Sequence, residues 1–132
     1  MRELKFRAWD TANKRWATES DFKEVGLFVN YYIDGSGKFE LQADVNECGY
    51  GRFEIVEFTG LHDKNGKEIY EGDMITTRLY PLNDGRSHDI YYKDGCFRVR
   101  WTMFTLANMF ENTHNGDIEV IGNIYENPEL LK

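Results

Sequence analysis

Glu57-Phe-Thr-Gly-Leu-His-Asp-Lys-Asn-Gly-Lys-Glu-Ile-Tyr-Glu-Gly-Asp-Met-Ile75 sets the architecture of this chain. The stretch reverses the chain and carries no obvious chemistry. Asp63-Lys64-Asn65-Gly66 suits a type I turn, with Asp at the first position and Gly at the fourth, where a positive φ is needed. A second reading puts Asn65-Gly66 at the centre of a type I′ hairpin turn. The two differ by one residue in register and send Ile69 to opposite faces. Gly60 and Gly72 punctuate either side, and Gly72-Asp73 leads into the apolar pair Met74-Ile75.

On both sides of it, strands and turns dominate. Glu3 to Trp9 alternates, with Leu4, Phe6 and Ala8 on one side and Lys5, Arg7 and Trp9 on the other, a strand with one buried and one wet face. Asp10 to Lys14 is a turn, and Trp16 begins a second short strand. Ser20 reads as a helix cap, but the β-branched and aromatic residues from Gly26 to Ile33 favour a strand. Asp34-Gly35-Ser36-Gly37 turns the chain into a returning strand, Lys38 to Val45. Asn46 to Arg52 is a loop. Phe53 to Thr59 is a strand in which the double Ile55-Val56 implies a bulge or burial on both faces. Met74 to Tyr80 comes after the central turn and is closed by Pro81 to Gly85. Asp89–Lys93 and Phe97–Thr102 bracket Asp94-Gly95, a hairpin signal. Leu106, Met109 and Phe110 at i, i+3, i+4 predict one short helix over 103–112. Asn115-Gly116 is a turn and Ile118 to Tyr125 a strand. Asn127 at an N-cap and Pro128 at the first helical position predict a helical turn over 128–131.

The expected fold is therefore all-β with minor helix: one domain of many short antiparallel hairpins, of irregular or SH3-like barrel topology. At 132 residues one domain is the natural size, with loose lobes at 1–58 and 59–132. Aromatics at 15%, twelve Gly and only two Pro fit that class. There is no repeat of 20–50 residues and no low-complexity tract.

Charge bounds the partners. The formal net charge is −7. Residues 1–16 hold five cations against two anions, so the rest carries an excess of ten negative charges. Such a surface opposes general duplex-DNA binding, which works by neutralising phosphates. Cys48 and Cys96 have no CxxC spacing; a disulfide between them stays open, but the simpler reading is two reduced thiols, which points to a cytoplasmic protein. The charged opening Met-Arg-Glu-Leu-Lys-Phe-Arg is unlike a signal peptide, and the most apolar window, Val25 to Ile33, is too short to span a membrane.

No pattern names a reaction. His62, His88 and His114 are scattered beside turns and read as exposed, because no HxxxH or CxxC pair nucleates a metal site. Cys96 lacks an adjacent base and reads as a half-buried strand thiol. Glu68, Glu71 and Asp73 are close in sequence, and paired carboxylates do acid–base work or hold a cation. In turns, though, such an Asp more often accepts backbone N–H bonds, with the two Glu solvated. No phosphate cradle is present. The expectation is no enzyme, no cofactor and no metal.

One face stands out as a candidate binding surface: Arg7 and Trp9, with Lys5, beside Arg98, Arg100 and Tyr92 or Trp101. Basic groups next to aromatics bind single-stranded nucleic acid by stacking and charge. The competing reading, favoured by the acidic total, pairs these arginines with carboxylates across strands.

Three blocks carry a family resemblance. They are Arg2-Glu3 with Lys5-Phe6-Arg7-Ala8-Trp9-Asp10, Thr59-Gly60-Leu61 with Asp63-Lys64-Asn65-Gly66-Lys67-Glu68-Ile69-Tyr70-Glu71-Gly72-Asp73, and Glu119-Val120-Ile121-Gly122-Asn123-Ile124-Tyr125-Glu126-Asn127-Pro128-Glu129-Leu130-Leu131. In this order they resemble the YopX family of phage and prophage proteins. The resemblance implies a small, mostly β protein encoded in bacterial viruses or their integrated remnants, and brings no activity with it. Residues 16–52 and 78–115 fit no block. The function expected is an accessory role through binding an unidentified protein, with a homo-oligomer as the expected state. The alternative is a single-stranded nucleic-acid-binding module using the basic-aromatic face.

Overall fold

Short β-branched and aromatic runs separated by glycine turns form ten antiparallel strands among the described residues. The computed structural model describes residues 5–18, 27–33, 39–45, 53–78, 85–113 and 117–131. The strands are β1 (Phe6–Asp10), β2 (Arg15–Trp16), β3 (Leu27–Ile33), β4 (Phe39–Val45), β5 (Phe53–His62), β6 (Glu68–Tyr70), β7 (Asp73–Thr77), β8 (His88–Lys93), β9 (Cys96–Val99) and β10 (Ile118–Asn123). One α-helix, α1 (Leu106–Thr113), and one 3₁₀ turn, Pro128–Leu131, complete the set. The protein is mostly β; the closing turn lies where the residue pattern put it, and the short helix starts three residues later than the expected Met103. The cap at Ser20 and the turns at 34–37, 81–84 and 115–116 lie outside the described residues, as do Cys48 and His114.

The chain divides into two units, one of residues 6–56 and one of residues 1–5 and 57–132. In the first, β1 lies between β2 and β5, and β3 pairs with β4 over seven residues, from Leu27↔Val45 to Ile33↔Phe39. Trp9 stands opposite Trp16 and packs edge-on against it, with ring centroids 5.0 Å apart. That contact corrects the wet-face reading of Trp9: it is buried at 5% exposure, because β2 brings its own tryptophan over the same face. Ala8 and Phe53 are buried beside it with Ala17 packed on them.

In the second unit the order is β10-β7-β8-β9, and β5 pairs with β6. Its core gathers Ile69, Ile75, Ile90, Val99, Leu106, Met109, Ile118 and Val120. Leu106 and Met109 come from one helix face, as their spacing predicts, and each such burial contributes about 2 kcal/mol. The helix starts at a capping box: Thr105 Oγ1 accepts from Asn108 N–H at 3.1 Å, while Asn108 Oδ1 accepts from Thr105 N–H at 3.3 Å.

The central turn takes the type I form. Gly66 N–H donates to the Asp63 carbonyl at 3.0 Å, and Gly66 has φ of 80°. Asn65 is not among the residues with positive φ, which the type I′ alternative requires. Type I′ geometry occurs instead at Asp94 (φ 54°) and Gly95 (φ 80°), which join β8 to β9 with Lys93 opposite Cys96. The register irregularity of β5 falls between Phe58 and His62, past the Ile55-Val56 pair. No helix among the described residues is long and apolar enough to cross a membrane.

Candidate functional site

Strand alternation in β9 ends at Val99, and the chain then makes a closed excursion before α1 begins. Arg100 N–H donates to the Asp89 carbonyl at 3.0 Å, still in step with β8. Trp101 then adopts φ of 65°. The left-handed region costs an L-residue roughly 1 kcal/mol, so the surroundings must hold it there. Thr102 does much of that. Its hydroxyl donates to the Val99 carbonyl at 2.7 Å and accepts from Phe104 N–H at 3.0 Å. Val99 N–H donates to the Phe104 carbonyl at 3.2 Å, and Arg98 bridges to Thr105, so the neck is shut. The tip leaves Trp101 85% and Met103 95% exposed. A buried indole contributes about 2–3 kcal/mol that this conformation forgoes.

An open cleft of about 790 Å³ lies beside the tip, lined by Trp101, Met74, Arg86, Ser87, Asp89, Glu129 and Leu130. The closing 3₁₀ turn is tied to this wall, since Ser87 Oγ donates to the Leu130 carbonyl at 3.0 Å. A second cavity of about 250 Å³ is lined by Leu61, Tyr92, Cys96, Phe97 and the start of α1.

The sequence-derived face divides between the units. Arg7 and Trp9 belong to the first, where the Arg7 guanidinium stacks 3.9 Å from the Trp16 ring centroid. Tyr92, Arg98 and Arg100 belong to the second. Tyr92 is half-exposed and packs edge-on against Phe97 at 5.2 Å. Arg98 Nε donates to the Lys93 carbonyl at 3.2 Å, with Asp94 Oδ2 4.0 Å from its guanidinium. Arg100 Nε donates to both oxygens of the buried Asp89 carboxylate, at 2.9 and 3.0 Å, and its guanidinium lies 4.3 Å from the Tyr91 centroid. Both arginines thus have carboxylates for neighbours, Arg100 one from β8 and Arg98 one from the β8–β9 turn.

The carboxylates of the central stretch have separate tasks. Asp73 is buried and accepts from Tyr70 N–H at 2.8 Å. Glu68 is not simply solvated: Lys5 Nζ at 2.6 Å and the Tyr70 hydroxyl at 2.8 Å, in that order of effect, hold its carboxyl below the usual range. Glu71 is partly buried, and desolvation, then the nearby Glu57 charge, push it up. Among the described residues no group of three His, Cys, Asp or Glu is arranged to hold a metal ion. His62 is exposed, but His88 is not a turn residue: β8 begins with it and its inward register buries it. Its Nδ1 lies 3.0 Å from the Arg100 carbonyl.

Sequence reasoning assigned Met103 to the helix and gave Glu129 and Leu130 no binding role. The only signal for the tip is the run Arg100-Trp101-Thr102-Met103, and no local pattern foretells a positive φ at tryptophan.

The architecture defines a class: a mostly antiparallel β protein in two units, with one short helix and a 3₁₀ closing turn among the described residues. The chain belongs to the YopX family, whose model, described as YopX protein, matches residues 5–132. Among solved structures it is similar to the crystal structure of an Enterococcus faecalis protein, at 31% identity and a TM-score of 0.66, with each chain covered in full. It also matches the X-ray structure of the protein yopX from Bacillus subtilis, at 20% identity and a TM-score of 0.48, again with both chains covered in full. No curated protein matches it.

Proposed function

We propose that this protein is a small phage or prophage accessory protein without enzymatic activity, working by binding another protein through the Trp101–Met103 tip. The observation that supports this is the tip itself. A tryptophan held at positive φ and 85% exposed gains nothing for the fold. A rigid, exposed aromatic costs little entropy to immobilise and is the residue type that dominates interface energetics. The three backbone and hydroxyl bonds around Thr102 supply the preorganisation.

The test is capture from lysate of the bacterial host at low salt, wild type against Trp101→Gly. Gly suits the backbone, so the variant keeps its fold, and its thermal midpoint is expected to be unchanged or raised. Recovery of the partner is expected to fall at least about tenfold, as loss of a hot-spot side chain implies. A partner recovered equally by both proteins, or none recovered together with a monomer by light scattering, overturns the reading. The nucleic-acid alternative predicts salt-sensitive anisotropy with labelled single strands that Arg98→Ala with Arg100→Ala removes. The engagement of Arg100 by Asp89 supports placing it second.

A further inference from the structure

The cleft beside Trp101 also specifies the chemistry of what enters it, an inference that rests on the protein-binding reading above. From Trp101 to Leu131 the sequence holds five acids, Glu111, Asp117, Glu119, Glu126 and Glu129, and no Lys or Arg. The cation of the cleft lining, Arg86, therefore comes from outside this segment, and so does Lys64, the partner of Glu119. Within the cleft, Asp89 is answered by Arg100, and Arg86 has a partner of its own. Glu129 differs. It is exposed, its side-chain hydrogen bond is from the Asn127 amide at 3.5 Å, and among the described residues no cation forms an ion pair with it. Trp101 and Leu130 line the same space.

We infer that the Trp101–Glu129 cleft receives a cationic side chain, arginine or lysine, from the partner protein. An indole face attracts a cation through its quadrupole, and an exposed carboxylate lining the same cleft adds a second attraction. The aliphatic stem of either residue covers apolar surface such as Leu130 while its head stays polar. The negative field of the segment favours the approach of a basic partner and repels an acidic one.

The test is an NMR titration of the whole protein, read at the indole N–H of Trp101 and assigned by its loss in Trp101→Phe. The probes are N-acetyl-arginine amide and N-acetyl-lysine amide up to about 50 mM, a range that covers the millimolar affinity one such contact gives. N-acetyl-leucine amide, adenosine monophosphate and matched salt serve as controls. Expected are saturable shifts with the two cations, none with the controls, and weakening by at least about threefold in Glu129→Gln. Four outcomes overturn the inference: no saturable shift, an equal response to the leucine amide, a response to the nucleotide, or indifference to Glu129→Gln. If the titration is blank while host-partner capture still depends on Trp101, this inference falls and protein binding stands. A positive titration with capture indifferent to Trp101 sinks the protein-binding role instead.

Discussion

Asp63 ties the central turn to the last strand with one carboxylate. Oδ1 accepts from Asn65 N–H at 2.8 Å and Lys67 N–H at 2.9 Å, and Oδ2 accepts from Val120 N–H at 2.9 Å. Lys64 N–H donates to the Ile118 carbonyl, so the turn also covers the free edge of β10, which would otherwise invite another strand. Desolvation pushes the Asp63 carboxyl up, but the three backbone donors outweigh it and leave the group below its ordinary 3.8. The ionised form is thus the one the fold favours. Its contribution is complete above the unfolded value and is lost as pH falls through the lower folded one. Asp63→Asn turns an amide N–H₂ toward a backbone donor, and a loss of about 2 kcal/mol in urea unfolding at pH 7 is expected. The gap between wild type and variant should narrow below pH 3.8, where the wild-type carboxyl also takes up its proton.

At the level of elements, two local devices set the geometry that carries Trp101. The β8–β9 hairpin depends on Asp94 and Gly95, both at positive φ. A Cβ on Gly95 meets nothing within 4 Å, so Gly95→Ala is strained by its backbone alone, and a thermal unfolding measurement should give a loss of about 1 kcal/mol. Thr105→Ala removes the N-cap of α1 and is expected to cost a further ~1 kcal/mol. The same substitution deletes the hydroxyl bond to Asn108 Oδ1 at 2.8 Å, so fraying should appear first at the helix start by hydrogen exchange. A result in which helix amides are unchanged would mean that packing of Leu106 and Met109 alone holds the helix. Asp94-Gly95 declares itself by composition and the helix by its i, i+3, i+4 spacing, but the Thr105 cap is not read from the sequence, which starts the helix at Met103. The end of β9 is not, since Phe97–Thr102 alternates on paper but the chain leaves the ladder after Val99.

For the whole molecule, acid sensitivity arises from opposed carboxylates. Asp63 and Glu68 lie below their ordinary values, and the stability they supply is lost as pH falls through their folded values. Glu71 lies above its own, raised by burial and by Glu57, so it works the other way: the fold gains as pH falls through its titration. Glu71→Gln is therefore expected to raise the thermal midpoint at pH 7, with the gain disappearing below about pH 4, where the wild-type carboxyl is already neutral. A midpoint lowered at pH 7 would show that Glu71 accepts bonds its amide cannot replace.

The residue pattern by itself settled the mostly β class, the hairpins, the short helix, the closing turn and the family, because alternation, i, i+3, i+4 spacing and turn chemistry are local properties of the chain. Tertiary structure alone decided the rest. Trp9 is covered because Trp16 arrives across from it, and His88 is buried because β8 starts one residue earlier than Asp89, where the sequence pattern begins it, and pairs His88 with Ile75. The form of the central turn was settled by donors that converge on Asp63 from as far as Val120. Trp101 projects because Thr102 ties Val99 to Phe104 beneath it. Each of these depends on which distant backbone groups meet, and no local periodicity encodes that.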